Sequence, residues 1–243
     1  MRLHELDYCC HIYTRLDAYD RADVELRAAT GPTVDPADED HHAPLLTWLR
    51  KWGCRQFSIQ DEQTSRASLM SWWERWGPRL PPPERTLDEL DDDALDTIAA
   101  AYDDLRQRQA GVQRRATGDV IRRFGPTGAA KALYAIRPNC CSPWDADIRE
   151  RLGRAETGAG YREHLLRARD ALAEAVGDLG PDGHAAQLPA RVDRPVSSPV
   201  KLVDEHDYAR YTRGFEPPTQ ALIERWTPRP APASDGESRP PSP

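Results

Sequence analysis

The sequence predicts an all-α protein, and three observations carry that expectation. Apolar residues recur at three- and four-residue steps in most segments between the Gly- and Pro-rich breaks. Several of these segments open or close on helix-end signals, such as the acidic run Asp91-Asp92-Asp93, the pair Ser198-Pro199 and the stop at Gly125. Two-residue alternation, the mark of a half-buried strand, is scarce, and Phe57-Ser58-Ile59 is too short to count. With 243 residues, 39% hydrophobic and 30% charged, the chain can bury a sizeable core. The expectation is about nine helices in a single helical domain of two packed lobes over residues 1–226.

In chain order, residues 30–40 read as a loop, with Gly31, Pro32, Pro36 and four acids. Leu45, Leu46, Leu49 and Trp52 line one face of a helix that begins near Pro44. Leu69, Trp72, Trp73 and Trp76 do the same in the next, which the break Pro81-Pro82-Pro83 follows. Leu95, Ile98, Tyr102 and Leu105 mark a helix whose acidic start suits the positive end of its dipole. Val120, Ile121 and Phe124 predict a short helix closed by Gly125. Leu133, Tyr134 and Ile136 predict another, stopped before Pro138. Tyr161, Leu165, Leu172 and Val176 carry a longer one, and Gly177 to Ser198 is a long connection. Ser198-Pro199 caps a last helix running to about Gly214. Residues 227–243, mostly Pro, Ser, Ala and charge, are expected to be a disordered tail.

Composition narrows the function classes. No apolar run approaches the roughly 20 residues of a membrane helix, and the first residues hold no apolar signal core. A cytoplasmic protein without membrane association is therefore expected. The five cysteines fall as Cys9-Cys10, Cys54 and Cys140-Cys141, without zinc-like spacing. His4, Cys9, Cys10 and His11 lie close in sequence, and buried thiols beside surface histidines explain them without a metal. His41-His42 reads as a solvated pair beside an acidic loop. No metal or cofactor is expected.

Two clusters have double readings. Trp48, Trp52, Trp72, Trp73 and Trp76 could form a base-stacking platform or a face for a protein partner, but their helical spacing equally suits a helix–helix core. Asp204-Glu205-His206-Asp207-Tyr208 reads as a polar helix face, or as a metal site. Tyr208 and Tyr211, with Arg210 and Arg213, are candidates to line a cleft.

The segment with most chemical content lies between Arg106 and Arg137. The whole chain carries a net charge of −7, yet this stretch sets eight basic residues (Arg106, Arg108, Arg114, Arg115, Arg122, Arg123, Lys131 and Arg137) against Asp119 alone. A basic stripe on an acidic protein is the footprint of a phosphate-binding site, or of a solvated face paired with the chain's own acids. Only three lysines, Lys51, Lys131 and Lys201, stand among 33 basic residues. Lysine alone among the basic pair can act as an amine nucleophile. Within the stripe, Phe124-Gly125-Pro126-Thr127-Gly128-Ala129-Ala130-Lys131-Ala132-Leu133 reads as helix, glycine turn, helix. Such a turn can present backbone N–H groups to a phosphate. Fourteen residues past Lys131 stands Asp145, in Ser142-Pro143-Trp144-Asp145-Ala146-Asp147-Ile148-Arg149.

These two runs, together about 30 residues, resemble the helix-hairpin-helix DNA glycosylase superfamily. Gly125, Gly128, Lys131 and Ala132 are similar to its hairpin, and Pro143, Asp145, Ile148 and Arg149, with Leu152-Gly153, to its acidic run. The resemblance implies DNA as partner, with Arg122, Arg123, Gly125, Thr127 and Gly128 on the phosphates. It implies catalysis at the N-glycosidic bond of a flipped base. Asp145 would stabilise the cationic sugar or activate a water. Lys131, discharged by its arginine-rich surroundings, would attack the sugar carbon to form a Schiff base. The four-cysteine iron–sulfur motif of one branch is missing, so no cluster is implied. Read without the resemblance, Ser142 is a helix N-cap, Pro143 its first residue and Asp145 an acid at the positive helix end, with Lys131 a surface lysine. A non-catalytic helical module that binds DNA or protein then remains.

Overall fold

The structure is a computed structural model that describes residues 1–16 and 19–226; the expected C-terminal tail lies outside them. The all-α class holds: 64% of the chain is helical and 4% is strand. Among the described residues there are eleven α-helices: α1 (Leu3–Arg15), α2 (Tyr19–Thr30), α3 (His42–Lys51), α4 (Glu62–Trp76), α5 (Asp92–Gln107), α6 (Gly125–Ile136), α7 (Ala146–Arg151), α8 (Gly158–Gly177), α9 (Leu188–Arg191), α10 (Pro199–Asp207) and α11 (Gln220–Trp226). A single antiparallel hairpin, β1 (Gln109–Gln113) with β2 (Val120–Arg123), lies between α5 and α6. No helix among the described residues is long and apolar enough to cross a membrane.

The hairpin corrects one expectation. Val120–Phe124 is not a short helix: Val120–Arg123 is strand β2, paired with β1 through Val112↔Ile121 and Gln113↔Val120. Three β-branched or bulky apolar residues in five suit a strand as well as a helix turn, and the pairing partner decides. Phe124, buried against Phe57, then anchors the strand to the core. The glycine-containing run is therefore a strand–glycine–helix junction rather than a helix–turn–helix.

One apolar cluster runs from Leu6 to Val203 and draws on nearly every helix. The tryptophans belong to it. Trp48, Trp52, Trp72 and Trp76 are buried, with the Trp72 indole N–H donating to Ala101 O at 2.8 Å and that of Trp76 to Asp104 Oδ2 at 2.6 Å. They take part in helix–helix packing, one of the readings their spacing allowed. All five cysteines are free and buried. His42 is buried rather than solvated, its Nε2 2.7 Å from Pro36 O.

The unusual element is α10. All nine of its residues are buried, among them Lys201, Asp204, Glu205, His206 and Asp207. The polar, solvated face expected for 204–208 is therefore wrong. Other elements neutralise these charges. Arg167 of α8 grips Asp207 through both oxygens, at 2.6 and 2.7 Å, while His206 Nδ1 lies 3.0 Å from the same carboxylate. Arg194 bridges Glu205 at 2.7 Å and Asp20 of α2 at 2.5 and 2.8 Å. Lys201 pairs with Asp204 at 2.8 Å.

Another buried titratable group, His164 of α8, packs against Trp144 and Tyr161. Burial pushes its pKa down from 6.5 to about 4. The unfolded chain takes up that proton as pH falls below about 6.5, and the folded chain refuses it until about 4. Stability contributed at neutral pH is thus lost across this window as acid is added. We predict that melting temperature falls more steeply between pH 7 and 4 in the unmodified chain than in His164→Leu; parallel profiles would contradict a buried neutral imidazole.

Candidate active site

Lys131 and Asp145 come together. Both line one small cavity, with Tyr13, Trp52, Asp204 and Tyr208 completing its wall. Its volume is about 50 Å³, room for one or two water molecules.

The local sequence explains the convergence. Gly125 takes φ +67°, a left-handed conformation that favours glycine, and so turns the chain from β2 into α6. Pro126 stands in the first turn of α6. Lys131 sits in the middle of this helix, whose small residues Ala129, Ala130 and Ala132 are fully buried. After α6 the chain doubles back onto the helix's own start. Trp144 Nε1 donates to Pro126 O at 3.2 Å, and Arg149 Nη1 donates to Thr127 Oγ1 at 2.9 Å. Arg149 also reaches Glu156 at 3.2 Å and lies over the Trp144 ring. These bonds fix the segment that carries Asp145 against the helix that carries Lys131.

Asp145 itself is the N-cap of α7, its Oδ1 accepting from Ile148 N at 2.8 Å. This moves the cap from Ser142, where the sequence put it, because the extended backbone persists through Asp145 (φ −111°, ψ −175°) before turning helical at Ala146. The other oxygen, Oδ2, accepts from Thr212 Oγ1 at 3.1 Å. Thr212 ends a π-helical turn, Tyr208–Thr212, that continues α10 and closes with Arg213 N donating to Tyr208 O at 3.0 Å. π-Helical turns are rare and frequent at functional sites.

Lys131 donates to the Trp52 carbonyl at 2.6 Å, and its ammonium lies 5.4 Å from the Trp52 ring centroid. No arginine lines the cavity. The arginine-rich surroundings expected around this amine are elsewhere; a carbonyl and an aromatic face attend it, with Asp145 and Asp204 on the same cavity wall. Beside it stands Lys201, only 2% exposed and within 4.2 Å of the Tyr13 ring centroid. Burial alone would discharge Lys201, but the Asp204 and Glu205 carboxylates hold its pKa well above the ordinary value. Burial raises the Asp204 carboxyl above the usual carboxylate range; Lys201 and Lys131 pull it down, and Asp145 pushes it up. Tyr13 is likewise raised by burial and stays a neutral phenol.

No family model, curated protein or solved structure matches this chain.

The expected phosphate contacts do not gather at the glycine turn. Gly128 is buried, and a Cβ there would stand 2.5 Å from Gln56 Nε2 and 3.2 Å from the Phe57 ring, so this glycine serves packing. The Thr127 hydroxyl is occupied by Arg149. Gly125 is half-buried, Arg123 is exposed, and Arg122 is half-buried on the hairpin. Much of the basic stripe is paired with acids: Arg106 with Asp103, Arg108 with Asp104, and Arg114 with Asp61. Arg137 is buried and donates to Pro81 O. Among the described residues no group of three or more His, Cys, Asp or Glu is placed to hold a metal.

Among the other residues of the cavity, the sequence did not single out Tyr13, and its first reading of Trp52 and Asp204 was not as parts of this site. Trp52 and Asp204 were read as core and polar face, and Tyr13 gave no signal. Tyr208 was a cleft candidate, and it lines the cavity. Asp145→Ala removes a cap that Asp145→Asn, itself a good capping residue, keeps, so the alanine variant is expected to lose about 1 kcal/mol more than the asparagine variant. Chemical denaturation of both variants checks this; equal losses would contradict the capping geometry.

Proposed function

We propose that this chain acts on DNA in the manner of a glycosylase, cleaving the N-glycosidic bond of an unstacked base, with Asp145 as the catalytic carboxylate. The observation that carries this reading is the meeting of Lys131 and Asp145, fourteen residues apart, in one cavity.

The chemistry follows from the residues. As the C1′–N bond breaks, its electron pair leaves with the base and positive charge grows on the sugar. An ionised Asp145 beside that carbon stabilises the charge. It also accepts a proton from the water whose oxygen bonds to C1′, while the departing base gains a proton from solvent. Lys131 enters as a fixed cation that draws the electron-rich leaving group or a flanking phosphate. Its amine is already engaged, donating to the Trp52 carbonyl with the indole face beside it. This favours a hydrolase over a lyase acting through a Schiff base.

At about 50 Å³ the cavity admits water but not a nucleobase. Entry of substrate requires the wall to open, and this reading places the opening at the π-helical turn that begins at Tyr208, a kind of turn frequent at functional sites. The alternative, a helical module that binds DNA or a protein without cutting, is favoured by the double use of Asp145 as cap and as acceptor from Thr212.

Incubation with duplexes that carry deaminated, alkylated or oxidised bases, with released base read by chromatography, is expected to show turnover that falls at least a hundredfold in Asp145→Asn and stays intact in Lys51→Ala. Lys51 is the proper control lysine, being half-exposed and paired with Glu25. Binding without release in every substrate would establish the non-catalytic module. A borohydride-trapped adduct lost in Lys131→Ala would replace the hydrolase with a lyase.

A further inference from the structure

The β1–β2 hairpin takes no part in the chemistry just described. Its base is anchored: Ala110 is buried, and Gly111 lies so close to Asp61, in the turn ahead of α4, that a Cβ would stand 3.0 Å away. The outer part, residues 114–121, is exposed throughout.

This outer part carries Arg114 and Arg115 on one arm and leads to Arg122 and Arg123 on the other, against Asp119 alone, in a chain of net charge −7. Arg114 pairs with Asp61. The other three arginines find only neutral acceptors. Arg115 and Arg122 both donate to Gln113 Oε1, and Arg123 donates to the Gln107 carbonyl. Among the described residues none of these three forms an ion pair. Two guanidinium groups drawn to one neutral oxygen repel each other, and an external anion would relieve that repulsion. Next to them Val120 and Ile121 are 42% and 59% exposed.

We infer that the β1–β2 ribbon is the arm by which this chain grips a DNA duplex, an inference that rests on the reading proposed above. Arg115, Arg122 and Arg123 take backbone phosphates, for which the planar guanidinium fork is suited. Val120 and Ile121 lie against the apolar sugar and base edges of the groove. A two-stranded ribbon matches the width of the major groove, about 12 Å. The ribbon is also coupled to the cavity, since β2 runs into α6 and Lys131 follows Arg123 by eight residues, about 12 Å of helical rise.

The test is fluorescence anisotropy of the full chain with a labelled duplex, at salt from about 50 to 300 mM. The probe variant is Arg115→Gln/Arg122→Gln/Arg123→Gln. Circular dichroism melting of this variant should match that of the unmodified chain, because the side chains lie on the surface arm. Loss of three phosphate contacts is expected to lower affinity by roughly thirtyfold or more near 0.1 M salt, and to flatten the log–log salt slope by about 2 to 3. Unchanged affinity and slope in the variant, with binding intact in the unmodified chain, would overturn the ribbon's role and leave the DNA reading standing. If the unmodified chain shows no salt-dependent binding, both fall.

Discussion

The structure is organised around a constraint on α10: a helix buried on all sides while more than half of its residues are ionisable. An unpaired charge in such a place costs several kcal/mol. The fold meets this with partners from other elements: Arg167 from α8 for Asp207, and Arg194, itself tied to Asp20 of α2, for Glu205. Lys201 and Asp204 neutralise each other within the helix. Replacing such a network by apolar residues is often neutral or stabilising. Stability therefore gives little reason for its presence, and a role in positioning gives a better one.

What the network positions is the wall of the cavity. Tyr13 of α1 and Trp52 after α3 pack their rings beside the Lys201 ammonium. Asp204 faces the cavity from α10, and Tyr208 follows where the helix widens into its π-turn. From the other side, Trp144 and Arg149 clamp the Asp145 segment to the start of α6. Two carboxylates and a lysine are thus held in a small space by groups whose own side chains are locked, the condition a preorganised electrostatic site requires.

The helices were legible in the sequence wherever a wide apolar face repeats. α3, α4, α5, α6, α8 and α10 all carry such a face, and the N-cap residues Asp91 and Ser198 mark their starts as expected. β2 was not legible, because Val120-Ile121 has no period of its own and pairing with β1 is a tertiary fact. Lys131 and Asp145 were legible through a short resemblance and through the scarcity of lysine. Asp204 and its neighbours were not. A run of acids reads as a wet surface unless the arginines that neutralise it can be placed, and Arg167 and Arg194 come from distant parts of the chain. The pairing of Arg106, Arg108 and Arg114 with nearby acids shows the same limit from the other side, since counting charges cannot tell a spent arginine from a free one.

The central claim is that Lys131 and Asp145 act on each other across one cavity. A double-mutant cycle on folding free energy tests it most directly, using Lys131→Met, Asp145→Asn and the double variant in chemical denaturation. The account predicts non-additivity of at least about 0.5 kcal/mol, because two groups that share one cavity wall sense each other's charge. Additive losses within error would show two side chains that do not sense each other, and would contradict a shared site.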